Sequence, residues 1–221
     1  MKLASGGKLK DANLLMKKFE NFTEKGKGKN IEICKIAAKL FNKRGYLSTT
    51  LNDIARDGGI TKGGIYHYFS TKEELLFVIL YRYMDKMLRD LKQKIDTCHS
   101  PEEKIRTLIR LHIYNYRDNL AESHVLLRER KNLTPEYLDI IKNKEREYEA
   151  TLRHLIESLL KKKKKQVGNI KLVTYSLLGM CNWPFTWFNP EGKASPDDLS
   201  DIIYRIFMRG ILSGFGKNRI N

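Results

Sequence analysis

The chain has 221 residues, 41% of them apolar and 31% charged, enough for one or two domains with a substantial core. Its mean hydropathy is −0.49 and no apolar run nears the ~18 residues of a membrane span, while the basic N-terminus lacks a signal-peptide core and cleavage site, so a cytoplasmic protein with no membrane partner is expected. A net charge of +16 and a pI near 9.7 argue for a polyanionic partner, and residues 1–70 alone carry 14 Lys/Arg against 6 Asp/Glu, half of that excess on a third of the chain.

Helical periodicity dominates and no alternating strand pattern is present, so the expected fold class is all-α. Residues 1–29 read as a flexible basic extension, eight Lys against three acidic residues, with a short amphipathic piece around Leu15, Phe19 and Phe22. Residues 30–76 form a first small domain. Its first helix runs from about Ile31 to Arg44 with Ile33, Ile36, Ala37, Leu40 and Phe41 on one face, and stops at Gly45. Thr50, with Asp53 three residues on, caps a short helix Leu51 to Asp57. Gly58-Gly59 makes a tight turn, and Thr61 caps a third short helix that ends near Tyr68.

Residues 77–221 form a larger helical domain. A long helix opened by Ser70 or Thr71 leads into it and reaches about Asp96 on a stripe of Leu75, Ile79, Tyr83, Met87, Leu91 and Ile95. Ser100-Pro101 starts the next helix, with proline at the first helical position. A shorter one covers about Glu122 to Lys131. Thr134-Pro135 opens a long one, with Tyr137, Ile141, Tyr148, Leu152, Leu155 and Leu159 inward, that ends at the Lys161–Lys165 run; that run fits a solvated helix end better than an anion grip. Residues 169–188 read as a helix apolar on most sides, buried against more than one neighbour and kinked or ended by Pro184. Ser195-Pro196-Asp197-Asp198 starts the last helix, with Ile202, Ile203, Ile206, Phe207 and Gly210 on one face.

Two short helices joined by a glycine turn cannot bury enough surface alone and need the helices on either side as support. That is a helix-turn-helix, a three-helix unit whose last short helix enters the major groove of DNA. The segment Ala38-x-Leu40-Phe41-x-x-x-Gly45-Tyr46-x-x-Thr49-Thr50-x-x-Asp53-Ile54-Ala55-x-x-x-Gly59-Ile60-Thr61-x-Gly63-x-Ile65-Tyr66-x-Tyr68-Phe69-x-x-Lys72-Glu73-Glu74-Leu75 closely resembles the DNA-binding domain of the TetR family of transcriptional regulators. The resemblance implies an all-helical homodimer on a double-stranded operator, with an effector bound in the C-terminal domain. Thr50 offers a hydroxyl and backbone N–H groups to a phosphate. Thr61 and Lys62 open the recognition helix and can reach base edges. Gly63 lets the backbone approach the duplex. Tyr66 and His67, one turn on, suit phosphate contacts, as do Lys72 and Arg44. Gly64 departs from the family, which has a small residue with a side chain there. Two successive glycines weaken so short a helix by ~1 kcal/mol each, so Gly64→Ala is expected to stabilise it. The basic extension fits either a DNA-tracking arm or a solubilising tail.

In the C-terminal domain, Gly179-Met180, Asn182-Trp183, Trp187-Phe188, Pro190 and Gly192, with Leu127-Arg128-Glu129 and Leu133-Thr134 upstream, are similar to TetR-type regulators of fatty-acid, sterol or aromatic-acid breakdown, several of which answer to acyl-CoA thioesters. An acyl chain needs an apolar, aromatic slot, to which Tyr114, Trp183 and Trp187 can contribute. CoA phosphates need basic side chains at its mouth, for which Arg117 and Arg128 are candidates. An aromatic stripe at helical spacing fits core or dimer interface as well. The resemblance implies dimerisation through the last two helices, about 169–188 and 196–212. Cys34, Cys98 and Cys181 are scattered, and the five histidines show no ligand spacing, so no metal, cofactor or catalytic site is expected. A drug-sensing repressor of an efflux pump, and an interaction module without a DNA role, are the competing readings. The operator, the effector and the sign of regulation are not encoded in any motif.

Overall fold

The computed structural model describes residues 28–213, so the amphipathic piece around Leu15, Phe19 and Phe22 lies outside the described residues. Within them the regular structure is helix: α1 (Lys29–Arg44), α2 (Leu51–Asp57), α3 (Lys62–Tyr68), α4 (Lys72–Asp96), α5 (Pro101–Asp118), α6 (Leu120–Glu129), α7 (Pro135–Lys162), α8 (Ile170–Asn182) and α9 (Pro196–Ser213). Short 3-10 turns follow α6 at Arg130–Asn132 and α8 at Trp183–Thr186. No strand is present among the described residues, in keeping with the all-α expectation.

Local chemistry sets the boundaries. Gly45 takes φ +84°, closed to most L side chains, and its N–H bonds Phe41 O to stop α1. Thr50 and Asp53 form a reciprocal capping box at α2, and Ser195 with Asp198 repeats it at α9. Asn169 Oδ1 accepts from the Lys171 and Leu172 N–H groups to open α8. The helix expected over residues 169–188 is shorter: α8 ends at Asn182, and Pro184, which has no N–H to donate, sits in the 3-10 turn that follows.

The chain divides into two compact units, and the division falls inside α4 after Asp85 and inside α7 after Lys144. The first unit holds residues 28–85 and 119–144. Its core is Ile33, Ala37 and Phe41 of α1, Ile54, Ile65, and Leu75, Leu76, Phe77 and Ile79 of α4. α1 packs on α6, where His124 Nδ1 meets Asn42 Oδ1 at 3.0 Å. A ladder joins α4 to α7: Glu73 accepts the Thr134 N–H, Phe77 stacks on Tyr137 at 4.4 Å between centroids, and Lys144 bonds Asp85 at 2.8 Å while lying over the Tyr81 ring. The rungs advance together along both helices, so the two run parallel over this stretch.

The second unit holds residues 86–118 and 145–213, with Ile105, Leu108, Ile109 and Ile113 of α5, Leu152, Ile156 and Leu159 of α7, and Leu177 of α8 fully or nearly fully buried. α5 packs along α9, edged by ion pairs from Arg106 to Asp201 and from Arg110 to Asp197. Two apolar patterns differ from expectation. The α9 face is split: Ile203, Phe207 and Ile211 point inward, whereas Ile202 and Ile206 are each 54% exposed. On a helix of 3.6 residues per turn these are adjacent rows, about 100° apart, and one neighbour covers only one of them. In α8, likewise, Val173 and Leu177 are buried while Leu172 and Tyr175 stand in solvent on the single chain. Among the described residues no helix is long and apolar enough to cross a membrane, and no cluster of His, Cys, Asp and Glu could hold a metal ion.

Candidate nucleic-acid interface

α2 and α3 are joined by a turn in which the Gly58 N–H bonds Ile54 O, the Ile60 N–H bonds Ala55 O at 2.8 Å, and Gly59 takes φ +59°. Leu51, Ile54 and Ala55 of α2 and Ile65 of α3 are buried, as is Phe69 just beyond. With Ile65 and Phe69 anchored, helical geometry leaves Thr61, Lys62, Gly63, Tyr66 and His67 exposed on one strip. Thr61 Oγ1 accepts the Gly64 N–H at 3.1 Å, so it caps the helix while its side chain stays at the surface. Arg44, in the last turn of α1, is also exposed. An exposed helix N-terminus with Lys62, a glycine beside it and Tyr66 and His67 one turn on is the arrangement that major-groove reading requires.

Three residues carry more structure than their sequence context indicated. The Thr50 N–H and hydroxyl both donate to Asp53 Oδ2, so the capping box occupies the groups expected to face a phosphate. Those hydrogen bonds from Thr50 hold the Asp53 carboxyl down at about 2, ionised at any neutral pH. Lys72 Nζ donates to the carbonyls of Tyr46 and Leu47 and lies 4.3 Å over the Tyr46 ring; burial lowers its pKa from the ordinary lysine value. An ammonium has three donors, so one remains for a phosphate. Gly64 reverses its expectation. A Cβ there would stand 2.9 Å from Ile60 Cγ2 and 3.1 Å from Thr61 Oγ1, so glycine is the residue that fits, and Gly64→Ala strains the cap it was expected to strengthen. Gly63, by contrast, has nothing within 4 Å.

The residues proposed for an effector slot are placed differently. Tyr114 of α5 donates to Asp197 of α9, and the Arg117 guanidinium lies 4.4 Å over the Tyr114 ring while bonding Asp118. Trp183 and Trp187 are 65% and 60% exposed, because the 3-10 turn buries Pro184 and Phe188 and rotates both indoles outward. They do not line an interior slot of the single chain. Arg128 is exposed on α6 in the first unit, whereas the other four belong to the second.

Sequence reasoning passed over His112. It falls on the buried face of α5 with Leu108, Ile109, Ile113 and Tyr116, and a histidine on an apolar stripe was the available signal. Its Nδ1 meets the Tyr148 hydroxyl at 2.9 Å and its Nε2 meets Asn182 Oδ1 at 3.0 Å. The amide oxygen can only accept, which assigns the ring proton to Nε2 and leaves Nδ1 to accept from the tyrosine. Burial pushes the imidazole down to about 4, so it is neutral at physiological pH.

Residues 33–79 match the model of bacterial regulatory proteins of the tetR family, and residues 98–211, more than half the chain, match that of the tetracyclin repressor-like C-terminal domain. The chain belongs to the TetR family. It is similar to the HTH-type transcriptional repressor KstR2 of Mycolicibacterium smegmatis, 26% identical over 189 residues that cover 84% of this chain and 91% of that one. Among solved structures, a TetR-family regulator from Bordetella parapertussis aligns at 27% identity and a TM-score of 0.75, covering 85% of this chain and 96% of its own. AibR, solved with isovaleryl coenzyme A and operator DNA, aligns at 27% identity and a TM-score of 0.73 over 80% of this chain and 96% of its own. TetR-family proteins are transcriptional regulators, and α2–α3 is the helix-turn-helix of this one.

Proposed function

We propose that this TetR-family regulator is a repressor that binds a pseudo-palindromic operator as a homodimer and releases it when an acyl-CoA thioester binds the C-terminal region, so controlling fatty-acid or aromatic-acid breakdown. The observation that carries the DNA reading is the exposed strip of Thr61, Lys62, Gly63, Tyr66 and His67 above the buried Ile65. Homodimerisation is supported by the uncovered apolar rows of neighbouring helices, Leu172 and Tyr175 on α8 with Ile202 and Ile206 on α9. Rows of this size on a soluble chain are normally covered by a partner, and a two-fold dimer presents two α3 helices to successive major-groove half-sites. Support for a thioester effector comes from the likeness to AibR, solved with isovaleryl coenzyme A, and from the Trp183–Gly192 pattern.

Release needs no chemistry. The effector has only to bind better to a dimer whose two heads no longer match the groove spacing, and it shifts the populations by that difference in affinity. The test is fluorescence anisotropy with fragments of the gene's own promoter, with and without a panel of acyl-CoAs. The expected result is salt-sensitive, sequence-selective binding that one or more thioesters abolish. Binding to no fragment overturns the regulator reading, and binding that no thioester relieves overturns the effector reading.

A further inference from the structure

The second unit holds four buried polar side chains besides its tyrosines, His112, Asn115, Thr174 and Ser200, and none carries a formal charge. Asn115, Thr174 and Ser200 each donate to a carbonyl three or four residues back in their own helix, to Leu111, Ile170 and Asp197. His112 differs, since its two bonds join three helices, α5 to Tyr148 of α7 and to Asn182 of α8. A buried polar bridge of this kind adds little net stability over an apolar filling of the same volume. It does leave a costly unsatisfied group if it is broken without replacement.

The two partners of the His112–Asn182 bond are unequal. His112 is buried, while Asn182 is half-buried in the last turn of α8 and can return its amide to water. Nε2–H of His112 is therefore a buried donor whose present acceptor is replaceable. We propose that the effector's acyl carbonyl docks on His112 Nε2–H in the place held here by Asn182 Oδ1. The exchange removes the side-chain tie between α5 and the last turn of α8, leaving the Tyr116 hydroxyl on Phe185 O as the bond from α5 to the turn that follows, and a shift of α8 about that remaining tie supplies the differential affinity that release requires. It also selects chemistry. The head group must be a neutral acceptor, because a quaternary ammonium has no lone pair with which to accept from Nε2–H, and a carboxylate would shed its hydration beside three uncharged side chains. Glu149, which follows Tyr148 in sequence, has its Oε1 shielded from solvent and 4.0 Å from Arg153 Nη1.

This inference rests on the acyl-thioester reading, and the test separates the two. Isothermal titration calorimetry on the full-length protein uses butyryl-, octanoyl- and palmitoyl-CoA, the corresponding methyl esters, the free acids and alkyltrimethylammonium ions of matched length. Thioester and ester are expected to bind and the charged heads not to. His112→Leu is expected to weaken binding roughly tenfold, the worth of one replaced hydrogen bond. Asn182→Ala, which removes the competing acceptor, is expected to tighten it; a merely structural role for the triad would weaken binding in both variants. Tighter binding by Asn182→Ala decides the matter even if His112→Leu fails to fold. Weaker or unchanged binding by Asn182→Ala, or equal binding of acid or ammonium, overturns the proposal. Methyl esters that bind through His112 while the CoA thioesters do not would keep the triad and remove the thioester reading. Thioesters indifferent to both substitutions would do the opposite, and no binding of either ester class removes both.

Discussion

Lys72 Nζ lies 2.8 Å from the carbonyl oxygen of Tyr46, 26 positions away in sequence, and so ties the first turn of α4 to the turn between α1 and α2. The bond makes the platform behind the recognition helix continuous: α1 ends, turns, and is fastened to the helix that follows α3. Lys72→Met keeps the aliphatic stem and removes both carbonyl bonds and the contact over the Tyr46 ring. It should destabilise the protein by ~1–2 kcal/mol in urea denaturation and weaken operator and non-operator DNA by the same factor. A loss of DNA binding with unchanged stability would instead make Lys72 a free phosphate ligand.

The two glycines of α3 should separate in opposite directions. Gly63 has open space around its Cα hydrogens, so Gly63→Ala should raise the melting temperature by the equivalent of ~0.5–1 kcal/mol from reduced backbone entropy. The same methyl stands on the exposed strip between Lys62 and Tyr66, so operator affinity should fall. Gly64→Ala should lower the melting temperature, since Ile60 Cγ2, 2.9 Å from the added methyl, can clear it only by a change of χ1 in a stiff β-branched side chain or a shift of the backbone. Thermal melts of the two variants beside the parent decide it, and a more stable Gly64→Ala would remove the packing argument.

Much of the head was legible because its signals are local. Thr50 and Asp53, Thr61, Gly45 and Gly59 each fix a boundary through atoms within four residues, and α2 and α3 lie where those residues put them. What sequence did not reveal depends on which side chains the fold sets against each other, whether a few residues apart or many. Gly64 looked like a helix weakener until Ile60 and Thr61 were seen to fill its Cβ position. Ile202 and Ile206 looked like one face with Ile203 and Phe207, since periodicity cannot tell which of two adjacent apolar rows the single chain covers. The grouping of α6 and the start of α7 with the helix-turn-helix rests on pairs such as Phe77 and Tyr137, sixty positions apart. His112 gave only the faint signal of one polar residue on an apolar stripe.

Acid should reveal His112 through stability. Its folded pKa, lowered by burial to about 4, lies below the ordinary histidine value of 6.5, so the unfolded chain takes up a proton that the folded one refuses. The stability from keeping the imidazole neutral is therefore complete above pH 6.5 and is lost as pH falls from 6.5 through 4, on the order of 3 kcal/mol across that window. Urea titrations at a series of pH values should show a steeper acid decline for the parent than for His112→Leu, which has nothing to protonate. Parallel declines would mean that the ring is solvated.

The exposed rows on α8 and α9 bear on the DNA reading as much as on assembly. A single head carries one recognition helix of seven residues, too short to supply affinity by itself, so operator binding should require two heads held at a fixed spacing. Ile206→Glu places a carboxylate on the uncovered row, and a two-fold axis would bury two copies in one interface. Each buried charge without a partner should cost ~2 kcal/mol or more of dimer stability, so light scattering should report a monomer at micromolar concentration with unchanged helical circular dichroism. Operator affinity should then fall steeply, although no DNA-facing residue has changed. A variant that remains dimeric and binds normally would place the interface elsewhere, and Ile202 and Ile206 would then need another explanation for their exposure.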